Sequence, residues 1–351
     1  MSETVRPTCK AGLSIVLTIL VTSIVACSVL QRMDGSEHTG MTMSLAFSPD
    51  NAKLMATRDH DVVLWDAETG RPYQKLAGHK SVVTSAAFSP DGRLAVSASN
   101  DGSIKAWDVS GGREVRELAH GQPGGKGVYE KEVNVVLFSP NGETILSGGN
   151  DGNLNVWNTE SGKLVRVLRE ESSIHTLGFG PSTHAVFVGN GDGTIHLWDL
   201  EKATLTRTFV HDTGSLLRSL SISSDGKMML SVCLDSVKLW DTQTGKQIRT
   251  FNELGKEYYT PTRVVFSPKG DLACVGDDSY VYVWDIPSGK RLRKLSSSDL
   301  SHVESLAMSH DGKYVVAGDI WGHVRRWQIG SGDGNVPFIP KSDQDDGVQY
   351  R

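Results

Sequence analysis

From residue 39 onward, apolar and polar residues alternate in short runs, as in "GTIHLWD" at 193–199. Runs of this period, bounded by Gly, Asn, Asp and Ser, predict half-buried β-strands. The runs come in groups. A turn signal follows the first strand of each group: "SPDN" at 48–51, "SPDG" at 89–92, "SPNG" at 139–142, "GPSTH" at 180–184, "SSDG" at 223–226, "SPKG" at 267–270 and "SHDG" at 309–312. The apolar residues ahead of these turns are Phe47, Phe88, Phe138, Phe179, Ile222, Phe266 and Met308. Each is followed 18 or 19 residues later by a tryptophan: Trp65, Trp107, Trp157, Trp198, Trp240, Trp284 and Trp327.

The pattern continues past each Trp. Glycine stands five residues on at Gly70, Gly112, Gly162, Gly245, Gly289 and Gly332, with Ala203 the exception. Glycine suits a turn that needs positive φ. An apolar residue returns eleven residues after the Trp, from Leu76 in the first unit to Phe338 in the seventh. Each unit therefore reads as four antiparallel strands. Such a meander cannot bury both faces alone. Seven units stacked radially bury a continuous core, which predicts an all-β, seven-bladed β-propeller over residues 39–341.

These units resemble the WD-repeat family. "LWD" stands at 64–66, 197–199 and 239–241, "AWD" at 106–108 and "VWD" at 283–285, while "VWN" at 156–158 and "RWQ" at 326–328 are degenerate. The family's turn aspartate is matched by Asp59, Asp101, Asp151, Asp192 and Asp278, and its Gly-His pair in full only by Gly78–His79. His38, His120, His211 and His302 are looser candidates. The resemblance implies a buried network of His, Asp, Trp and a Ser or Thr that stiffens a blade, complete here in one or two blades. It implies a fold and leaves function open.

Antiparallel connectivity places the first and third turns on one face of the ring. The second turns and the links between units lie on the other. From each Trp to the next turn-preceding apolar residue the chain takes 23, 31, 22, 24, 26 and 24 residues, so length variation is concentrated on the link face. Variable loops on a rigid scaffold are where binding concentrates. The expected partner-binding residues are Tyr129 in "AHGQPGGKGVYEKE" (119–132), Tyr258 and Tyr259 in "NELGKEYYTP" (252–261), and Tyr280 and Trp321 in second turns. Tyr and Trp suit protein recognition. They equally suit covering a neighbouring blade.

Chemistry is sparse. No GxSxG or HExxH occurs, and "SDGK" at 224–227 belongs to a repeated turn. "GNGDG" at 189–193 opens no helix and is not read as a phosphate loop. His184 and His196 are read as structural. No metal, cofactor or catalytic residue is expected. The 351 residues carry a formal net charge of −5 with no basic stripe, which argues against nucleic acid as a partner. Cys233 and Cys274 are read as buried thiols.

The seventh unit carries the signals of its own fourth strand, expected at 335–340, so residues 28–38 are not needed to close the ring. The tail at 342–351 is polar and expected to be disordered. The N-terminus holds Arg6 and Lys10, then an uncharged run from Ala11 to Leu30. Twenty apolar residues span a bilayer at about 30 Å, so residues 1–26 are read either as a membrane anchor or as a signal peptide. "IVAC" at 24–27 resembles a bacterial lipoprotein signal, which would make Cys27 the lipid attachment point. Residues 27–38 are then a tether. The 14 residues from Cys27 to Met41 reach at most about 46–50 Å.

The function expected is a non-catalytic protein–protein interaction scaffold of the cell envelope. It would be exported to the bacterial periplasm or envelope, membrane-held by its N-terminus, and would bind a protein or peptide. The alternative is an envelope enzyme or small-ligand sensor using the central channel.

Overall fold

A computed structural model describes residues 40–121, 131–180, 182–234, 236–251, 260–298 and 300–329, with the backbone of a strand at 335–337. Among these residues are seven antiparallel sheets of four strands each, every sheet built from consecutive strands. We number these blades one to seven. Each begins with an inner strand at Leu45–Phe47, Val83–Phe88, Val133–Phe138, Ile174–Phe179, Ser219–Ile222, Arg263–Phe266 and Val303–Met308 respectively.

The apolar side chains sort into seven clusters, and each joins two neighbouring blades. Between blades four and five, for example, Phe187, Ile195 and Phe209 meet Leu217, Leu220 and Trp240. The Phe209 ring lies 5.9 Å from Phe187 and 5.8 Å from Trp240, tilted against the first and edge-on to the second. The apolar residue eleven positions after each of the first six tryptophans is thus a wedge between blades. Burying a side chain of this size stabilises the fold by about 1.5–3 kcal/mol.

Closure brings blade seven against blade one. Ala307, Val316 and Val324 pack with Leu45, Phe47, Leu54, Val63 and Trp65. The Thr42 amide donates to the Asp319 carbonyl at 3.1 Å, and the Ser305 hydroxyl to the Thr42 carbonyl at 2.7 Å. The His310 amide donates to Asn51 Oδ1 at 2.6 Å. The outer edge of Val324–Gln328 is taken by Asn335–Pro337, which pairs Trp327 with Asn335 and Arg325 with Pro337. Blade seven completes itself, in agreement with the expectation for 335–337; residues 28–38 and 338–351 lie outside the described residues.

A second set of contacts was not anticipated. Nine residues after four of the tryptophans an arginine reaches the third turn of the next blade. Arg116 donates to the Glu160 carbonyl at 2.7 Å, Arg166 to Glu201 at 3.1 Å, Arg207 to Thr244 at 2.8 Å and Arg249 to Ile286 at 2.7 Å. Arg326, from the third strand of blade seven, bonds the Ala67 carbonyl across the closure. The turn glycine then has two duties. Gly162 has φ +69°, and a Cβ there would sit 2.2 Å from Arg116 Cδ. Ala203 has φ +55° in the equivalent turn of blade four.

Gly162→Ala should therefore cost more than about 1 kcal/mol, because it adds backbone strain and displaces the arginine. Ala203→Gly should show no comparable loss. Denaturant unfolding of the two variants checks this, and equal stabilities would refute it.

Candidate functional site: the link face

Beneath the link face lies the hydrogen-bond network that holds the loops. In blade two His79 Nδ1 lies 3.2 Å from Asp101 Oδ2, and Nε2 lies 2.7 Å from Ser97 Oγ. Trp107 donates to the same Ser97 hydroxyl at 2.9 Å. Burial opposes ionisation of Asp101. Hydrogen bonds from His79, the Lys80 amide and Ser103 outweigh it and hold the carboxyl well below its usual range. Blade three repeats the arrangement with His120, Ser147, Asp151 and Trp157. Blade five keeps His211, Ser231 and Trp240, with Ser236 at 3.0 Å on the far side of the imidazole.

Blade four solves the problem differently. Glu170 occupies the histidine's place, its side chain only 2% exposed. It accepts from Trp198 Nε1 at 2.5 Å and pairs with His196 Nδ1 at 2.5 Å. That hydrogen bond raises the His196 pKa above its ordinary value. Asp192 instead caps Thr194, receiving its amide and its hydroxyl.

Among the described residues three blades lack the network. The indole nitrogens of Trp65, Trp284 and Trp327 are buried with no acceptor. Asp59 sits at positive φ, its carboxylate lies against Gly40 and its carbonyl receives the Val83 amide. Asp278 pairs with His302 at 2.9 Å, so this histidine, a candidate for blade seven's network, faces blade six instead. The pairing raises the His302 pKa.

Above the network, the start of the inner strands carries a ring of side chains that sequence reasoning overlooked. In blades two, three, four and seven the pairing skips one residue, at Thr84, Asn134, His175 and Glu304. A bulge of this kind re-aims its side chain. In blades five and six the matching places, four residues before Ile222 and Phe266, hold Arg218 and Thr262. The ring is laced sideways: Thr84 Oγ1 donates to the Val133 carbonyl at 2.5 Å, and Asn134 Nδ2 to the Ile174 carbonyl at 2.8 Å. Arg263 reaches Glu304 at 3.3 Å. Burial, and then the Arg263 charge, push the His175 pKa down to about 4. The available signal was positional: each ring residue stands four residues before the apolar residue that precedes the first turn.

Of the expected binding residues, Cys27, Tyr129, Tyr258 and Tyr259 lie outside the described residues. Tyr280 is half-buried against the cluster between blades five and six, with Lys294 Nζ 3.4 Å from its ring centroid. Trp321 stands in the second turn of blade seven, its amide donating to Asp319 Oδ1 at 2.9 Å. Among the described residues no cluster of three His, Cys, Asp or Glu could hold a metal, and no helix is long and apolar enough to cross a membrane. Cys233 and Cys274 are buried free thiols.

The family of the WD domain, G-beta repeat, matches residues 28–66, 70–108, 125–158, 162–199, 203–241, 245–285 and 289–328. The chain belongs to the WD-repeat family. Its curated relatives match over shorter stretches. Coronin-7 of Homo sapiens is 33% identical over 92 residues, 26% of this chain and 10% of that protein. Small ribosomal subunit protein RACK1 of Glycine max is 34% identical over 82 residues, 21% of this chain and 25% of its own length. WD repeat-containing protein SL1-17 of Schistosoma mansoni is 49% identical over 72 residues, 20% of this chain and 24% of its own. The chain thus spans between 10% and 25% of the length of these WD-repeat relatives.

Two outcomes follow from the network. Ser147→Ala removes the partner shared by His120 and Trp157 and should cost about 1–3 kcal/mol on denaturant unfolding, since two buried groups lose their bond. A second concerns acid. Burial, and then the Lys238 charge, push the His211 pKa down to about 4, below the ordinary value of 6.5. The unfolded chain binds that proton first, so the His211 contribution is full above about pH 6.5 and is lost as pH falls towards about 4. His196 and His302 have the opposite sign: their contribution is present at low pH and fades as pH rises through their raised values. The midpoint of thermal unfolding should fall from pH 7 to pH 5 in the wild type, and less steeply in His211→Gln. Parallel slopes would contradict the assignment.

Proposed function

We propose that this WD-repeat propeller is a non-catalytic protein–protein interaction scaffold of the cell envelope, held to a membrane through lipid at Cys27 and binding its partner with the link face. The observation that carries the reading is that this face gathers what does not repeat. Everything on the opposite face is seven copies of similar turns. On the link face the connecting lengths differ, and the ring of Thr84, Asn134, His175, Arg218, Thr262 and Glu304 presents five kinds of side chain from six blades. Rigid backbone beneath non-equivalent side chains favours recognition of one partner over others. Of the relatives, RACK1 is named for its place in a ribosomal subunit; a role inside a larger assembly is the use proposed here.

Capture of partners by the full chain tests the face. An alanine variant at Tyr129, Tyr258, Tyr259 and Trp321, and a separate Arg218→Ala variant, should lose the proteins that the wild type retains. Retention of the same proteins by both would sink the assignment. The anchor has its own test: Cys27→Ala should abolish lipid incorporation and membrane retention, and unchanged processing would return the segment to an ordinary hydrophobic span.

A further inference from the structure

The outer strands of the blades differ in charge. Blade two reads "EVRELA" and balances its cations with Glu114 and Glu117; in blade one Lys75 pairs with Asp61 at 2.6 Å. Blade six reads "RLRKLS" after Lys290, so "KRLRK" at 290–294 holds four cations among five residues and no carboxylate. Among the described residues none of Lys290, Arg291 or Lys294 pairs with an acid. Two of them are held by aromatic rings instead. Arg291 lies 5.4 Å from the Tyr282 centroid and Lys294 3.4 Å from the Tyr280 centroid.

An apolar residue stands in the middle of these cations. The pairing in blade six passes from Trp284↔Arg291 to Val283↔Arg293, which leaves Leu292 unpaired at a bulge and 55% exposed. Blade five does the same beside it: Ile248 falls between Trp240↔Gln247 and Leu239↔Arg249 and is 51% exposed, next to Lys246. Lysine on an outer strand guards against edge pairing. That need is common to all seven blades, and this concentration is not. The reading that the chain has no basic stripe therefore fails locally: a chain of net charge −5 gathers unneutralised cations on one wall.

We propose that the outer wall of blades five and six, formed by Lys246, Ile248, Lys290, Arg291, Leu292 and Lys294, docks on an anionic phospholipid surface. The charge complements phosphate headgroups, and Leu292 and Ile248 enter the boundary between headgroups and acyl chains. Nucleic acid fits less well, because a strand of bases needs open aromatic platforms, and Tyr282 is buried while Tyr280 is covered by Lys294. The docking does not depend on lipid at Cys27. Together with such a tether it would fix which way the link face points.

The test is flotation of the full chain with two kinds of vesicle, phosphatidylcholine alone and phosphatidylcholine with phosphatidylglycerol. An N-terminal anchor binds both, so its failure shows as loss from the neutral vesicles. The wall adds a preference for phosphatidylglycerol that weakens with salt. Each cation near such a surface contributes about fivefold in partitioning. The variant Lys290→Glu/Arg291→Glu/Lys294→Glu should reduce that preference at least about tenfold, and Leu292→Asn should reduce it less. The equal charge change placed elsewhere, Arg93→Glu/Lys163→Glu/Lys227→Glu, should leave it largely intact. An unchanged preference in the first variant overturns the proposal, as does an equal loss in the control. Retention on single-stranded RNA without preference between the vesicles overturns it in favour of nucleic acid.

Discussion

A four-stranded sheet with apolar side chains on both faces cannot stand in water. Every blade here meets that constraint by giving each face to a neighbour, and the seven apolar clusters are the result. The turns, the arginines that cross to the next blade and the network under the links all refine a contact that burial makes obligatory. The ring has no end blade, because the last face finds the first. At that meeting the bonds from Thr42, Ser305 and His310 add direction to packing.

Much of this was legible in the chain. The constant distance from Phe47 to Trp65, repeated from Met308 to Trp327, reports a hairpin of fixed length and so a repeated sheet. Gly162 and Ala203 could be placed in the same turn because both fall five residues after a Trp. What the sequence concealed depends on neighbours in space. Nothing local to Glu170 announces that a carboxylate replaces an imidazole under Trp198. His302 looks like the histidine of its own blade and turns towards Asp278 instead. The ring at the starts of the inner strands was hidden for another reason. His175, Arg218 and Glu304 are chemically unlike, so a search for repeated residue types passes over a repeated position.

That contrast separates fold from use in this molecule. Residues that recur in kind, such as the turn serines and wedge apolars, hold the blades. Residues that recur only in place stand at the starts of the inner strands or on the outer strands. The scaffold fixes the addresses, and the chain varies what it writes at them. The same logic sets the "KRLRK" wall apart from the outer strands of its neighbours.

The buried indoles are not distributed at random. Those of Trp107, Trp157, Trp198 and Trp240 have acceptors, in four consecutive blades. Those of Trp284, Trp327 and Trp65 have none, and they belong to blades six, seven and one. The ring is thus built of a braced arc and an unbraced arc, and the unbraced arc contains the closure. A structure that looks sevenfold is mechanically lopsided. Thermal fluctuation, or strain applied through either face, would be taken up where the first and last blades meet, and the opposite side of the ring would move as one piece.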